Sequence, residues 1–537
     1  MTSAVSGRVR AAMPRHRWNG GRFALLAALT GMVGILCSGV QSASAAASGV
    51  KAGGSMTVFE VGVAQGAWPT GIDPPNDTSP GINQDLMSAV YGELLELGPG
   101  GKVVPDLATG YKILDNGLTY EFDIRRGVKF SDGTPFDAAA VAFNFKRDFA
   151  DKTSHNPFWP LKSITTSGQY KVDVNLTAPY SPLINSMFDS PQNWIVSPTS
   201  LQKLGETKFS LYPVGAGPFK VVSDIQNVTM SLEKNPLYWQ KGRPYLDKLT
   251  FKSVQSDNTA LEDMEAGQGQ AYIDMTTLQL VPAFKKAGFK VTLQPSTTPN
   301  DIQINTTKPP FNNILAREAL YYATDVATLD KTLNGDTTKP VQGFTTPTGL
   351  FYNATVPGYR TYDLAKAKAI VKQLGGLSFT LMISSAPGGK LLGEALQTMY
   401  TDAGMKVTLN PLELAPIIAA YASGNWQATT QNSGSWDPAV GVGQNVRFLS
   451  GARFSGVDDK HLDQLLTQAT RVPEEERAAI YQKAAIYESQ KAYAVEMYPA
   501  SLWDIAAKNV TAPGLTSLHP QVIGAPEVWW ADAGFTS

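Results

Sequence analysis

The stretch that decides the fold is residues 118–136, which read LTYEFDIRRGVKFSDGTPF. Three apolar side chains alternate there with charged ones: Tyr120, Phe122 and Ile124. This period of two predicts a β-strand with one buried side and one solvent-facing side. Asp132 and Gly133 then predict a tight turn, because glycine tolerates a positive φ and an aspartate side chain can hydrogen-bond its own backbone. The stretch therefore predicts a half-buried strand that runs into a tight turn.

Other segments extend this mixed pattern along the chain. Residues 171–176 alternate in the same way and predict a second half-buried strand. Residues 363–374 predict an amphipathic helix that stops at Gly375. Residues 473–494 predict a longer helix, whose first turn carries three glutamates where the helix dipole favours negative charge. Because strands and helices are interleaved, we expect α/β lobes.

The first 45 residues predict an export signal. They hold five arginines and no acidic residue, then an apolar run at 23–37, then small residues up to Ala45. This order is typical of a cleaved secretory signal peptide, and the apolar run is shorter than the ~20 residues of a membrane span. We expect cleavage after Ala45, with an uncleaved anchor as the alternative. Lipid anchoring at Cys37 is not favoured, because Leu36 precedes it where lipoprotein signals have a small residue.

Charge and length narrow the function classes. The chain has 45 basic and 46 acidic residues, and removing the signal leaves 40 basic residues, a net charge of about −6. A mildly acidic surface argues against nucleic acid and against an anionic membrane as partners. More than 480 residues remain, which exceeds a single core and predicts two or more lobes.

Catalytic and metal-binding motifs are poorly represented. The sequence has no G-x-S-x-G elbow, no H-E-x-x-H and no Walker loop. After the signal its histidines are only His155, His461 and His519, too scattered to suggest a zinc site. We therefore expect no cofactor, no resident metal and no catalysis, with a secreted hydrolase as a remote alternative.

The motifs resemble, in order, those of one family. Residues 118–136 are similar to the hallmark of the large extracytoplasmic solute-binding proteins of peptide and nickel ABC importers, solute-binding family five. One position departs from the pattern, since Ala140 stands where an Asp is usual. Further segments resemble the family elsewhere: residues 90–95, 104–111, 213–220, 235–248, 309–325 and 436–438.

This resemblance implies a two-lobed α/β fold of the periplasmic-binding-protein (Venus flytrap) kind, with an extra subdomain in lobe one. Lobe one would take residues 46–82, 205–295 and 505–537. The extra subdomain would take residues 83–204, and lobe two residues 296–504.

The resemblance also implies the function. A short peptide or similar small organic ligand would be enclosed between the lobes and delivered to ABC permease subunits, which work with cytoplasmic ATPases. We expect a periplasmic monomer that binds no nucleic acid. Two alternatives stay open: a non-peptide ligand (an opine, sugar, aromatic acid or metal chelate), and delivery to a sensor instead of a permease.

Candidate ligand contacts centre on Trp436 and Asp437. In peptide-binding relatives an Asp near this place holds the ligand's ammonium group, often within Trp-x-x-Asp-x-x-Asp-Pro. This chain has only Trp436, Asp437 and Pro438, so Asp437 is either the ammonium clamp or a turn former. Trp436 would supply an aromatic wall of large contact area.

Three further residues complete the candidate ligand site. Trp68 follows the first predicted strand, where relatives place ligand contacts. Trp159 belongs to a rigid aromatic segment of the extra subdomain, between two prolines. Arg447 is a candidate for meeting a ligand carboxylate, because a guanidinium binds a carboxylate with two parallel hydrogen bonds.

Overall fold

The computed structural model of the chain describes most residues from Gly49 onward: 49–60, 71–76, 83–98, 100–150, 159–432, 435–440, 443–451, 456–519 and 528–536. The predicted signal peptide, Cys37 and Trp68 lie outside these ranges.

The described strands and helices interleave along the whole chain. The strands are β1 (Val50–Lys51), β2 (Ser55–Glu60), β3 (Leu95–Gly98), β4 (Lys102–Pro105), β5 (Ala108–Leu114), β6 (Thr119–Ile124), β7 (Leu161–Thr166), β8 (Lys171–Leu176), β9 (Phe219–Ile225), β10 (Thr229–Lys234), β11 (Lys248–Ser253), β12 (Ala271–Met275), β13 (Lys290–Ile304), β14 (Ser378–Ser384), β15 (Lys406–Leu412), β16 (Ala428–Asn432), β17 (Ala494–Ala506), β18 (Val510–Thr511) and β19 (Gly534–Thr536). The α-helices are α1 (Gln84–Tyr91), α2 (Ala138–Ala150), α3 (Leu183–Ser186), α4 (Pro198–Leu204), α5 (Glu206–Leu211), α6 (Asp257–Glu265), α7 (Val281–Ala287), α8 (Ile314–Ala323), α9 (Val326–Leu333), α10 (Leu364–Gln373), α11 (Pro387–Asp402), α12 (Leu414–Ser423), α13 (Gln444–Phe448), α14 (Lys460–Ala469) and α15 (Glu474–Lys491).

A ten-stranded sheet runs through the molecule in the order β15-β14-β16-β13-β17-β12-β2-β11-β10-β9. At its middle the long strands β13 and β17 pair antiparallel, from Lys290 opposite Ala506 to Gln303 opposite Ala494. The strands on one side of this pair come from residues 378–432, and those on the other side from residues 55–60 and 219–275. The pair β13–β17 therefore joins two half-sheets that come from different parts of the chain.

A separate four-stranded antiparallel sheet, β5-β6-β8-β7, contains the strand predicted within residues 118–136. Tyr120, Phe122 and Ile124 on β6 are buried, as the alternation predicts. The backbone N–H of Thr134 donates to the Asp132 side chain at 2.9 Å, and Gly133 has φ +88°. The strand and the turn predicted from residues 118–136 are both confirmed.

Both predicted helices are present, but the sequence predicted their ends with different accuracy. α10 is capped by Asp363, whose side chain accepts from the backbone N–H of Lys366 at 2.9 Å. α15 starts directly after Pro473 and ends at Lys491, three residues before the predicted end. The reason is Ala492, whose φ of +54° breaks the helix and lets the chain enter β17 at Ala494.

Candidate functional site

Asp437 lies in a loop beside the N-terminal part of α15, and its carboxylate is fully buried. Arg477 binds it with two parallel hydrogen bonds of 2.6 and 2.5 Å. The Asn185 side-chain amide donates to Oδ2 at 3.0 Å, and the backbone N–H of Ala439 donates to Oδ1 at 2.9 Å. A carboxylate has about four acceptor positions, and protein donors occupy all four.

These contacts match the turn-forming alternative for Asp437, since the N–H of Ala439 lies two residues on. They leave the carboxylate no open acceptor for a ligand ammonium, so the clamp remains a prediction without geometric support. Burial by itself lowers the pKa of Arg477, but the charge of Asp437 outweighs it and the pKa lies above its ordinary value. Arg477 therefore stays charged, and its hydrogen bonds to Asp437 fix the loop that carries Trp436.

The Trp436 side chain is 4% exposed and packs with residues of the four-stranded sheet's core. Its ring lies against Gly101 in the turn between β3 and β4, where an added Cβ would come within 2.6 Å of Cζ2. Trp436 thus contacts the segment predicted as the extra subdomain. Its use as an aromatic wall for a ligand remains a prediction.

Trp159 lies in the core of the four-stranded sheet and α2. Its ring meets Phe145 edge-on at 6.3 Å and lies 5.1 Å from Phe149, while its indole N–H donates to the Ser186 hydroxyl at 2.6 Å. These contacts account for an aromatic residue at this position by packing alone. Among the described residues, no hydrogen bond or ring contact joins Trp159 to Asp437 or Arg447.

Arg447 on α13 binds a carboxylate of the protein itself, and its predicted contact with a ligand carboxylate remains a prediction. Its Nη2 donates to Asp301 Oδ1 at 2.7 Å and its Nε to Gln303 Oε1 at 3.2 Å, both on β13. Both charged side chains are buried. Burial raises the pKa of Asp301 although Arg447 opposes the shift. Arg447 therefore links α13 to β13, one of the two long strands in the middle of the ten-stranded sheet.

Four acidic residues that were not predicted from the sequence lie at one end of the ten-stranded sheet, here called the central sheet. Glu60 ends β2, and Asp274 lies near the end of its parallel neighbour β12. Asp504 lies on β17 and Asp85 in the first turn of α1. The sequence contains little that predicts this acidic group. Parallel strands bring their carboxyl ends to one edge of a sheet, but the sequence does not show that β2 pairs with β12.

Glu60 is 2% exposed, and neither of its carboxylate oxygens accepts a hydrogen bond from the residues that the structure describes. Burial raises its pKa, and the negative charges of Asp85 and Asp274 raise it further. Asp504 accepts from Gln294 Nε2 at 2.9 Å and from the backbone N–H of Asp274 at 3.3 Å. Burial and the charge of Asp274 raise its pKa as well.

Two further observations concern metals and membranes. Among the described ranges, no group of three or more His, Cys, Asp or Glu side chains is arranged to hold a metal ion. None of the described helices combines the length and the apolar character needed to cross a bilayer.

The family is shown by sequence comparison. Residues 102–452, well over half of the chain, match the model of bacterial extracellular solute-binding proteins, family 5. The chain belongs to this family, whose members capture peptides or other small ligands for ABC importers. The membership inferred from the sequence motifs is thereby confirmed.

Among curated relatives is the glutathione-binding protein GsiB. The protein from Salmonella typhimurium is 32% identical over 347 residues, which cover 63% of this chain and 66% of the relative, just under two thirds of its length. The protein from Escherichia coli (strain K12) is 28% identical over 500 residues, which cover 87% of this chain and 94% of the relative.

Solved structures of similar shape confirm the two-lobed periplasmic-binding-protein fold. The binding protein AgaA from A.tumefacien R10, in complex with agropinic acid, has a TM-score of 0.75 at 22% identity and covers 90% of this chain and 99% of its own. DppA from Helicobacter pylori, in complex with the peptide STSA, has the same TM-score and identity and covers 91% and 99%.

Proposed function

We propose that this chain binds a short peptide, or an organic solute of similar size, between two lobes and delivers it to the permease subunits of an ABC importer. The observation that carries the proposal is the family match over residues 102–452. The resemblance of almost the whole chain to two-lobed binding proteins supports the same reading. One relative is named for glutathione, and two similar structures hold agropinic acid and the peptide STSA, which fits a compact ligand with several polar groups.

The proposed lobes follow the boundaries expected from the sequence. Lobe one is made of residues 46–82, 205–295 and 505–537, lobe two of residues 296–504, and the extra subdomain of residues 83–204. The crossing pair β13–β17 supports this division, because the two half-sheets meet there. A ligand that contacts both lobes favours their closed arrangement by its differential affinity, and the permease would recognise that arrangement.

We further propose that the chain is exported by the signal peptide at 1–45, works as a periplasmic monomer and catalyses no reaction. The arginine-rich start and the apolar run at 23–37 support export. The binding-protein relatives support the absence of catalysis. Delivery to a sensor remains the second candidate.

The experiment is a thermal-melt screen of the purified protein against two pools. One pool holds di- to pentapeptides including glutathione, and the other holds opines, sugars, aromatic acids and metal chelates. A ligand at 100 times its dissociation constant stabilises a protein by about 2.7 kcal/mol, which gives a visible rise in melting temperature. A rise with the peptide pool supports a peptide receptor, and a rise with the second pool alone keeps the receptor but excludes peptides.

Two results would contradict the proposal. Stoichiometric binding without any loss of the added peptide is expected, so sustained hydrolysis of a pool member would favour the hydrolase alternative. A flat response to both pools would remove the support for binding of these solute classes.

A further inference from the structure

The acidic residues at the end of the central sheet lie where open α/β sheets bind ligands. β2 and β12 run parallel, with Phe59 opposite Tyr272, so Glu60 and Asp274 reach the same edge. Open α/β sheets take their ligands at the carboxyl ends of parallel strands. β12 also pairs with the crossing strand β17, and Asp504 on β17 accepts from the backbone of Asp274. The group therefore lies where one half-sheet meets the strands that lead to the other.

Within this acidic group, Glu60 is the residue whose burial the described protein contacts do not explain. It is almost completely buried, and within the described ranges neither of its oxygens has a hydrogen-bond partner. Buried polar groups are nearly always hydrogen-bonded, because leaving a carboxyl group unsatisfied costs free energy. Asp437 is the contrast within this chain, since Arg477, Asn185 and Ala439 satisfy it fully.

Within the described part of the chain, neither Glu60 nor Asp504 forms an ion pair. The groups that act on the pKa of Glu60 besides burial are the acids Asp85 and Asp274, and both raise it. Burial and these two acids favour the neutral form of Glu60, and a cation from outside the protein would oppose both effects and favour the carboxylate.

The positions of the acidic residues indicate which kind of cation, a metal ion or an organic cation, suits the site. The described acidic residues do not come together in a group of three that would hold a metal ion, and Ca²⁺ or Mg²⁺ requires six or more oxygen ligands around one point. An ammonium group has three donors and a guanidinium has five, and either reaches separated acceptors. An organic cation thus suits the site better than a metal ion.

We propose that Glu60, with Asp274 and Asp504 beside it, forms the subsite that receives a cationic group of the ligand, an ammonium or a guanidinium. This inference rests on the proposed receptor function and gives its ligand one chemical property. It also moves recognition of a ligand cation from Asp437 in the proposed lobe two to Glu60 in the proposed lobe one.

The test uses matched probes that differ by one cationic group. One pair is the tripeptide Ala-Arg-Ala and the same peptide with citrulline, an uncharged isostere of arginine. A second pair is trialanine and its N-acetyl derivative. Calorimetry measures the dissociation constant of each for the wild type, for Glu60→Gln and for Glu233→Gln. The last variant removes an acidic side chain of β10 that pairs with Lys220 and lies outside the acidic group.

We expect the wild type to bind at least one cationic probe about tenfold or more tightly than its uncharged partner, as for hydrogen bonds that involve a charge. This preference should fall to nearly onefold in Glu60→Gln and stay unchanged in Glu233→Gln. Equal binding of both members of each pair by the wild type, or a preference that survives Glu60→Gln, would overturn the inference and leave the receptor function intact.

Two controls separate other outcomes. Melting temperatures show whether Glu60→Gln folds, and Asp274→Asn, at a partly exposed position, offers a second variant that should reduce the same preference. If the wild type binds neither member of either pair but binds other solutes from the melt screen, the cationic subsite is wrong and the receptor stands. If it binds nothing in either test, both proposals fail.

Discussion

Arg477 and Asp437 form a bidentate ion pair with no exposed side-chain surface on either residue, at 2.6 and 2.5 Å. The pair joins the first turn of α15 to the loop that carries Trp436. Asn185, from the segment predicted as the extra subdomain, donates to the same carboxylate. One buried carboxylate thus connects three parts of the chain that are distant in sequence.

Replacing Arg477 by methionine should lower the free energy of unfolding by about 3–5 kcal/mol, because Asp437 is left as an uncompensated buried charge. Urea unfolding followed by circular dichroism measures the change. The double variant Arg477→Met/Asp437→Leu should regain a large part of the loss, since it removes both charges. Lys339→Met, which breaks an exposed ion pair with Asp336, serves as the control and should leave the midpoint unchanged.

A loss smaller than about 1 kcal/mol in Arg477→Met would show that the pair is not buried as described. A double variant as unstable as the single one would show that packing, and not the unpaired charge, dominates the cost.

Asn185 belongs to a set of hydrogen bonds that connect the predicted extra subdomain to the predicted lobe two. Its amide donates to Asp437 Oδ2 at 3.0 Å and to Glu474 Oε1 at 3.2 Å. Nearby, the backbone N–H of Ser181 donates to the carbonyl of Thr470 at 2.9 Å. These contacts must break if the two parts separate, so they favour the arrangement seen here.

Asn185→Ala should therefore weaken ligand binding several-fold, since a lost hydrogen bond of about 1 kcal/mol favours the open arrangement in the absence of ligand. Calorimetry with a ligand from the melt screen measures the affinity, and X-ray scattering measures the radius of gyration without ligand, which should rise. The control is Asn175→Ala, whose amide bonds Thr165 within the four-stranded sheet and should leave affinity unchanged. Equal affinity in the two variants would contradict the prediction.

Gly100 and Gly101 form a matched pair for testing the position of Trp436. Both have φ of +71°, so an alanine at either position meets the same backbone strain. A Cβ on Gly100 would meet open space, whereas one on Gly101 would overlap the Trp436 ring. The difference between the two alanine variants therefore isolates the contact with the ring.

Gly100→Ala should cost about 1 kcal/mol of stability from backbone strain alone. Gly101→Ala should cost about 1–3 kcal/mol more, as overpacking a well-packed core does. It should also shift the tryptophan emission to longer wavelength as the Trp436 ring is displaced toward water. Thermal melts and fluorescence spectra of both variants check this, and identical behaviour would mean that Trp436 does not lie against Gly101.

Sequence reasoning was accurate where the signal was local. The alternation through Phe122 and the amphipathic helix predicted over residues 363–374 depend on neighbours within a few residues. The end of α15 was predicted too late because Ala494 begins strand β17. Pairing of that strand in the sheet is a tertiary contact that a local pattern does not show. The family motifs added the two-lobed fold, which no local pattern specifies.

The site was harder to predict, because the two charged candidates have their partners far away in the sequence. Asp437 lies 40 positions before Arg477, and Arg447 lies 146 positions after Asp301. A sequence shows the charged residue but not the opposite charge that satisfies it. The sequence also could not show that Glu60 is buried without a hydrogen bond from any described residue, because this depends on the folded chain.

Glu488 on α15 gives a prediction for pH dependence. It is buried, and Gln444 Nε2 donates to one of its oxygens. Burial raises its pKa from 4.5 to about 8, although Gln444 and Arg447 oppose the shift. The nearby Glu496 also has a raised pKa, first because of burial and then because of the charge of Asp301.

The sign follows from proton binding. The folded protein holds the Glu488 proton up to about pH 8, whereas the unfolded chain releases it near the ordinary glutamate pKa. Between these values the folded state binds more protons than the unfolded state, so stability falls as pH rises and levels off above about pH 8. The contribution is present at low pH and lost through this window.

Glu488→Gln removes this titration, so its stability should fall less steeply between pH 5 and pH 8 than that of the wild type. Relative to the wild type, the variant should gain up to a few kcal/mol on going from the low to the high end of that window. Urea unfolding at several pH values measures the two slopes. Glu475→Gln, an exposed position on the same helix, should keep the wild-type slope. Some slope should remain in Glu488→Gln because Glu496 and Asp301 titrate with the same sign. A slope identical to that of the wild type would show that Glu488 is ionised in the folded protein throughout this range.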